Sequence, residues 1–218
     1  MVSRHECLGV DMPDIDQSVA ADLIATAHAL GDAARKATLM YFRTADLAAE
    51  TKEIHRFDPV TAADRLSEER MRAILAERRP DDAILGEEYG TKAGSSGLTW
   101  VLDPIDGTRG FLSGTPTWGV LISVADASGP IYGIIDQPYI GERFEGGLGR
   151  AQMVGPMGLR DLRCRAARPL SEAIVFTTFP EVGTAEEGAA FRRVASKARL
   201  VRYEIGRASC RERVLFEV

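Results

Sequence analysis

The stretch ILGEEYGTKAGSSGLTWVLDPIDGTRGFLSGTPT, residues 84–117, contains two short apolar runs that are each followed closely by acidic residues. The runs lie at residues 84–85 and 100–102. The second run is rich in residues that favour strands, and it ends at Asp103-Pro104, where proline removes a ladder donor and forces a turn. The pattern predicts two strands that stop at this region and deliver carboxylates to their ends.

The acidic residues after these runs predict a metal site. Glu87 follows the first run, and Asp103 and Asp106 follow the second, separated by a rigid Pro-Ile pair. Three carboxylates at two strand ends provide hard oxygen ligands without His or Cys, which suits Mg²⁺ or Mn²⁺ better than zinc. Like charges that folding brings together cost free energy unless a cation neutralises them, and this favours a metal site over unrelated solvated turns.

Gly107 and Thr108, directly after the acid pair, predict an anion-binding turn. Glycine lets the backbone bend tightly, and the hydroxyl of Thr108 can cap the helix that follows. The backbone N–H groups of both residues can receive an anion.

Three segments resemble the signature motifs of the inositol monophosphatase family, the Mg²⁺-dependent, lithium-sensitive sugar and polyol phosphatases. In this chain they read GEE at residues 86–88, DPIDGT at residues 103–108 and, upstream, DPVTAAD at residues 58–64. They occur in the order and spacing of the family, and the resemblance extends from about Asp16 to Tyr203. Other motifs are most similar to the histidinol-phosphatase branch: TRGFLSG at 108–114, PTWG at 116–119 and DQPY at 136–139.

The resemblance implies a fold and a set of metal ligands. The fold would be a layered α-β-α-β-α sandwich, between the α+β and α/β classes, with an antiparallel sheet in the N-terminal part and an incomplete α/β C-terminal part. Asp103 would bridge two Mg²⁺ ions, with Glu87 and the carbonyl of Ile105 completing one position and Asp106 the other. The site would hold two or three ions, with Mn²⁺ as a substitute.

The activity that the resemblance implies is hydrolysis of a phosphate monoester by metal-activated water, with histidinol phosphate in histidine biosynthesis as the expected substrate. Glu87 and Thr108 would hold and deprotonate the water, Asp64 would orient Thr108, and the N–H groups of Gly107 and Thr108 would bind phosphate. From the sequence alone, Asp64 also fits a capping box with Thr61 at the start of a helix, which would be a structural role.

Two alternatives to this activity stay open. The first is another phosphatase of the same fold, acting on inositol phosphates, fructose bisphosphate or a nucleotide bisphosphate. The second is a truncated remnant whose acids bind metal without turnover.

Composition narrows the classes of protein that this chain can represent. Its 218 residues, 45% of them hydrophobic, suffice for one large core or two small ones. A net charge of −5 argues against a nucleic-acid or membrane-surface binder. No apolar run approaches the roughly 18 to 20 residues of a membrane-spanning helix, and residues 1–13 lack the features of a signal peptide. We therefore expect a cytoplasmic enzyme, and the resemblance implies that it binds a small phosphorylated metabolite and forms a homodimer at full length.

Cysteine and histidine usage adds no further site. The cysteines are odd in number, widely spaced and without a C-x-x-C pair, which predicts free thiols: Cys7, Cys164 and Cys210. The scattered histidines are expected at the surface or with satisfied hydrogen bonds: His5, His28 and His55.

Periodicity predicts the first two helices. The first spans residues 16–43, is capped near Asp16 or Ser18 and has one apolar face, formed by Val19, Leu23, Ala27, Leu30, Ala34 and Ala37. A polar link with a possible extended segment, residues 44–57, precedes the second helix, which runs from Thr61 to about Arg79.

The later elements are predicted as a meander followed by an α/β unit. Runs rich in Val and Ile at residues 117–125, 131–136 and 143–154 indicate antiparallel strands. The glycines at 146–149 favour a kinked hairpin over a nucleotide-binding loop, because no strand-then-helix unit frames them. A buried strand at 173–178, a helix from Thr184 to about Lys197 with its own capping box, and a strand at 200–203 complete the pattern.

The expected organisation is an N-terminal α+β domain at residues 1–155 that carries the metal site, an incomplete C-terminal α/β domain at 156–204, and a non-native tail at 205–218. The tail IGRASCRERV, from Ile205, resembles a translated sequencing adapter, with a genuine basic terminus as the alternative. The resembled family takes a further metal-binding aspartate from a segment beyond this point. We therefore expect the chain as written to be inactive and poorly stable.

Overall fold

The structure is a computed structural model, and it describes residues 15–44, 49–53, 56–178 and 183–203. The tail predicted at residues 205–218 lies outside these ranges, as do Cys7, Cys210, His5 and His55. The side chain of Thr61 also lies outside the described part, so its predicted capping role stays a prediction.

Two long helices dominate the N-terminal half. Helix α1 spans Gln17–Leu39 and helix α2 spans Ala62–Arg78, and between them the antiparallel strands β1, Ala49–Glu53, and β2, Arg56–Thr61, pair with each other. Asp16 caps α1 as predicted, because its carboxylate accepts the N–H of Ser18 at 2.7 Å. The helix ends before the predicted Arg43. The predicted apolar face is buried apart from its first residue, Val19, which is 38% exposed.

The predicted meander is confirmed as part of an eight-stranded sheet. The sheet has the order β10-β9-β8-β7-β6-β5-β3-β4, and every neighbouring pair is antiparallel except β3 with β5, which is parallel. Its strands are β3 Ala83–Gly86, β4 Gly90–Lys92, β5 Thr99–Asp106, β6 Gly119–Asp126, β7 Gly129–Gln137, β8 Glu142–Gly147, β9 Arg150–Gly155 and β10 Gly158–Asp161. The sheet thus continues past residue 155, while the division into domains remains a prediction.

Strand β5 does not stop at Asp103-Pro104, so that part of the sequence prediction was wrong. It continues to Asp106, with an irregular register in which Asp103 lies opposite Leu121 and Asp106 opposite Gly119. The extra residue on β5 forms a bulge, and a bulge tolerates Pro104 because the missing N–H falls where the ladder is already interrupted. The two aspartates therefore flank a kink in the strand instead of following its end.

The main core lies between the helical layer and one face of the sheet. Helix α1 packs against α2 and against strands β5, β6 and β7, and α2 packs against β5. The largest fully buried side chains of this core are Leu23, Leu30, Met71, Leu75, Trp100, Leu102, Ile122 and Tyr132. Burial of each such side chain contributes roughly 1.5 to 3 kcal/mol to folding. The described part of the chain contains no helix that is both long and apolar enough to span a membrane.

The C-terminal described segment forms the predicted strand-helix-strand unit, and its two strands are parallel. Strand β11, Ile174–Thr177, pairs in parallel with β12, Leu200–Tyr203, and helix α4, Ala185–Ala195, connects them. The predicted capping box of α4 is present between Thr184 and Glu187. The predicted burial of β11 is wrong: Phe176 is 45% exposed, because β12 is its one strand neighbour among the described residues.

His28 has satisfied hydrogen bonds, as expected, and it serves the contact between α1 and the sheet. Its Nδ1 lies 3.1 Å from an Arg143 nitrogen, and its Nε2 lies 3.1 Å from Glu145. Arginine can only donate, so Nδ1 accepts and Nε2 carries the hydrogen given to Glu145. Cys164 is a free, exposed thiol, in agreement with the sequence.

The hairpin between β8 and β9 gives a test of how closely β8 lies against β7. Gly147 has φ +102°, and a Cβ there would lie 2.2 Å from the carbonyl oxygen of Ile131 on β7, whereas Gly149 has φ +77° with open space around it. We expect Gly147→Ala to lower the free energy of unfolding by about 3 kcal/mol or more, since a backbone clash adds to left-handed strain. The matched Gly149→Ala should cost only the strain, about 1 kcal/mol. Urea unfolding measures both, and equal losses would contradict the close approach of β8 to β7.

Candidate metal centre

The parallel pairing of β3 with β5 brings the two predicted acidic segments side by side. Gly86 at the end of β3 lies opposite Leu102, and the N–H of Glu87 donates to the Leu102 carbonyl at 3.2 Å. Glu87 is therefore held next to the residue that precedes Asp103. The pairing accounts for the contact between acids that are far apart in the sequence.

Asp103 occupies the centre of the acidic cluster. Its carboxyl is hydrogen-bonded to that of Glu87, and it also senses the charges of Asp106 and Asp64. Burial and then the neighbouring charges of Glu87 and Asp106 raise the pKa of Asp103 to about 9. Its Oδ1 atom is buried without a hydrogen-bond partner. The structure thus brings four of the predicted site carboxylates into one neighbourhood.

The turn after Asp106 starts the short helix α3, Thr108–Ser113, and its cap is Gly107, not Thr108 as the sequence suggested. Gly107 adopts φ +87°, a left-handed conformation, so Thr108 is already the first helical residue. The hydroxyl of Thr108 instead donates to the carbonyl of Ile105 at 3.1 Å. Its lone pairs still allow it to accept a hydrogen bond from a water molecule.

A small apolar cluster fixes the segments around this turn. It contains Ala63 beside Asp64, Ile105 beside Asp106, and Phe111 on α3, and all three are buried. Phe42 and Trp118 complete the cluster, and the rings of Phe111 and Trp118 meet edge to face with centroids 4.8 Å apart. Packing of these side chains thus places the start of α2 against the bulge of β5.

Asp64 lies in the first turn of α2 and is almost fully buried. Its charge contributes to the raised pKa of Asp103, so its carboxylate lies near the acidic cluster. The predicted roles of Asp64, orienting Thr108 or capping α2, both remain predictions.

Glu68 is a residue of this region that the sequence reasoning missed. It is fully buried on α2, and its carboxylate accepts the N–H groups of Glu88 at 2.7 Å and Tyr89 at 3.1 Å. A signal was available in the sequence. Asp64, Glu68, Met71 and Leu75 recur at helical spacing on one buried face, and acids on such a face need a specific partner.

The donor chemistry of this cluster fits a hard divalent cation, although the side chains do not form a complete cage. Within the described ranges, no three His, Cys, Asp or Glu side chains converge closely enough to hold an ion as they stand. Mg²⁺ commonly takes only one or two carboxylates and keeps water and substrate phosphate as its other ligands. The hydrogen bond between the carboxyl groups of Glu87 and Asp103 needs a proton, and a bound cation would take the place of that proton. The Oδ1 atom of Asp103, which has no hydrogen-bond partner, could serve as a ligand atom.

The comparison with known proteins gives relatives of one family. A model of the inositol monophosphatase family matches residues 20–211. The chain is 37% identical to the bifunctional phosphatase IMPL2 of Arabidopsis thaliana over 181 residues, which cover 82% of this chain and 51% of that protein. It is 40% identical over 127 residues to a histidinol-phosphatase of Streptomyces coelicolor, covering 56% of this chain and 47% of that protein. An inositol-1-monophosphatase of Mycobacterium leprae is 38% identical over 129 residues, covering 56% and 44%. The chain spans about half the length of the curated relatives it matches.

Solved structures agree with this assignment and confirm the predicted fold. An inositol monophosphatase from Zymomonas mobilis superposes with a TM-score of 0.70 at 34% identity, covering 86% of this chain and 69% of that one. The extragenic suppressor protein suhB from Bartonella henselae also gives a TM-score of 0.70, at 26% identity, covering 86% and 70%. From the matching motifs, the fold and the extent of the family match, the chain belongs to the inositol monophosphatase family.

Proposed function

We propose that the protein is a Mg²⁺-dependent phosphate monoester hydrolase with histidinol phosphate as its preferred substrate. The observation that carries the proposal is the clustering of acids around Asp103, whose buried Oδ1 atom has no hydrogen-bond partner. Two other buried acids lie beside an arginine, Glu68 beside Arg72 and Asp82 beside Arg79. At Asp103, by contrast, burial and the negative charges of Glu87, Asp106 and Asp64 all raise the pKa. A divalent cation at this cluster would allow Asp103 to ionise beside its acidic neighbours.

The choice of substrate rests on similarity. Histidinol-phosphatases are among the relatives, and the motifs from Thr108 to Tyr139 resemble that branch. The alternative substrate is an inositol phosphate, which the relatives named inositol-1-monophosphatase favour. The expected homodimer, cytoplasmic location and lack of a nucleic-acid partner remain predictions.

In the proposed mechanism, Asp103, Glu87, Asp106 and the carbonyl of Ile105 would hold the metal. When bound, Mg²⁺ would polarise the phosphoryl group and make water acidic enough to attack it. Glu87 is exposed at the edge of the cluster and can accept the proton of that water.

The residues after the acids would position the water and the phosphate. The hydroxyl of Thr108 gives its hydrogen to Ile105, which leaves its oxygen to accept a hydrogen bond from the water. Asp64 would orient Thr108. The backbone N–H groups of Gly107 and Thr108 would donate hydrogen bonds to the phosphate oxygens as negative charge develops on them.

Phosphate release from a panel of substrates, measured on a complete version of the protein, tests the activity. We expect kcat/KM for histidinol phosphate to exceed that for inositol 1-phosphate, fructose 1,6-bisphosphate and a nucleotide bisphosphate by at least about tenfold, with turnover only when Mg²⁺ is added.

Asp103→Asn should abolish turnover, because it weakens the binding of every ion that this carboxylate contacts. Activity of Asp103→Asn within about tenfold of the parent at saturating Mg²⁺ would show that the metal assignment is wrong. Binding of Mg²⁺ without release of phosphate from any substrate would favour the inactive alternative.

Thr108→Val tests the water-holding role. The change keeps the shape of the side chain and removes the hydroxyl, so kcat should fall by about 10² or more while folding is retained. Thr99→Val, at the start of β5, is the matched control and should leave kcat within about twofold. An unchanged kcat in Thr108→Val would reduce Thr108 to a structural contact with Ile105.

The raised pKa of Asp103 predicts pH-dependent metal binding. Near neutral pH the metal-free carboxyl keeps its proton, and Mg²⁺ must displace it, so the apparent affinity should rise about tenfold per pH unit up to about pH 9. Because the folded pKa lies above the unfolded value, the metal-free protein should also lose stability as pH rises toward 9. Calorimetric titration in two buffers of different ionisation enthalpy measures the affinity and the released proton. An affinity independent of pH would contradict the protonation of Asp103.

A further inference from the structure

The buried carboxylate of Glu68 faces a turn that carries a proposed metal ligand. One oxygen, Oε2, accepts the N–H of Glu88 at 2.7 Å. The other, Oε1, accepts the N–H of Tyr89 at 3.1 Å and the Nε of Arg72 at 2.8 Å. Arg72 also donates to the carbonyl of Gly90, so Glu68 and Arg72 together contact three consecutive residues of the turn.

The turn lies between the antiparallel strands β3 and β4. Gly86 pairs with Gly90, and Glu87, Glu88 and Tyr89 form the loop between them. On its strand side, Glu87 is fixed by its N–H, which donates to Leu102 at 3.2 Å. On its other side, the next two N–H groups, those of Glu88 and Tyr89, donate to the Glu68 carboxylate. The backbone of Glu87 is therefore held from both directions.

Gly86 shows how closely Glu68 approaches this backbone. A Cβ on Gly86 would lie 1.9 Å from Oε1 of Glu68 and 2.7 Å from a nitrogen of Arg72. Gly86 has an ordinary backbone conformation, so the space taken by the carboxylate, and not a left-handed φ, excludes a side chain here. The buried carboxylate of Glu68 can therefore approach the end of β3 this closely only because Gly86 has no Cβ.

Satisfying two backbone donors with a buried carboxylate has a free-energy cost. Burial of its charge carries a desolvation cost that an apolar residue would avoid, and Arg72 offsets this cost only in part. An acceptor with two oxygens can, however, bind two successive N–H groups at once and fix their direction. This arrangement favours accurate placement of the turn over maximal stability.

We propose that Glu68 is a positioning residue that holds the turn at Glu87–Tyr89 and so directs the Glu87 carboxylate towards Asp103. The inference rests on the proposed function, because the direction of Glu87 matters only if Glu87 takes part in metal binding. Partners that orient a metal ligand typically change metal affinity or activity by about 10- to 100-fold when they are removed.

The experiment replaces Glu68 and follows metal binding directly. In Glu68→Gln, one acceptor oxygen becomes an NH₂ group that cannot accept from the turn. Calorimetric titration with Mg²⁺, repeated with Mn²⁺, should show affinity at least about tenfold weaker than in the parent. The Mg²⁺ concentration for half-maximal phosphate release should rise by a similar factor, whereas KM for the substrate at saturating Mg²⁺ should stay within about twofold.

Asp82→Asn is the matched control. Asp82 is also a buried acid with an arginine partner, Arg79 at 2.8 Å, but it precedes β3, at the end of the strand opposite to Glu87. Its loss should lower the melting temperature and leave metal affinity within about twofold. Equal losses of metal affinity in Asp82→Asn and Glu68→Gln would reduce Glu68 to general stability and overturn the proposal.

A measurement on the parent protein covers the case in which Glu68→Gln does not fold. Hydrogen exchange without metal should show protected amides at Glu88 and Tyr89, and exchange at the rate of exposed amides would overturn the proposal. Metal affinity of folded Glu68→Gln within about twofold of the parent would also overturn it. If the parent binds metal but releases no phosphate, and Glu68→Gln still binds metal more weakly, the positioning role stands and the proposed hydrolase activity fails.

Discussion

The parallel pairing of β3 with β5 is the constraint on which the rest of this site depends. The sheet is otherwise antiparallel, and a parallel pair places two strand ends at the same edge. Side chains alternate between faces along a strand, so a shift of one residue in this register would turn Asp103 towards the opposite face. Burial of Trp100 and Leu102 in the core beneath the helices fixes the register, and the position of the acids follows from it.

This geometry creates an electrostatic conflict that the protein resolves differently at different places. Asp136 is buried between Arg35 and Arg143, and Asp82 lies beside Arg79, so each of these acids has a fixed positive charge next to it. At Asp103 the neighbouring charges are negative, and the described structure relieves the conflict with a retained proton. The same arrangement would favour a divalent cation, which replaces a shared proton with a stronger and more localised charge.

Helix α2 contributes to the site in two ways through one face. Asp64 approaches the acidic cluster, and one turn later Glu68 binds the backbone after Glu87. The cluster formed by Phe42, Ala63, Ile105, Phe111 and Trp118 ties the start of the same helix to the bulge of β5. A displacement of α2 would therefore act on the strand end, the turn and the bulge together.

The sequence by itself determined the features that depend on near neighbours in the chain. The caps at Asp16 and Thr184, the helical periodicities and the runs of the meander are local patterns, and the structure agrees with them. The acidic motifs also identified the family, because they are short and specific. Features with distant partners were decided only by tertiary structure. Strand β5 passes Pro104 because β6 accommodates a bulge, and Gly107 replaces Thr108 as the cap because that bulge sets the direction of the chain. Glu68 finds its acceptor role only when α2 lies against the end of β3, since the energy of a buried carboxylate is set by groups that folding brings to it.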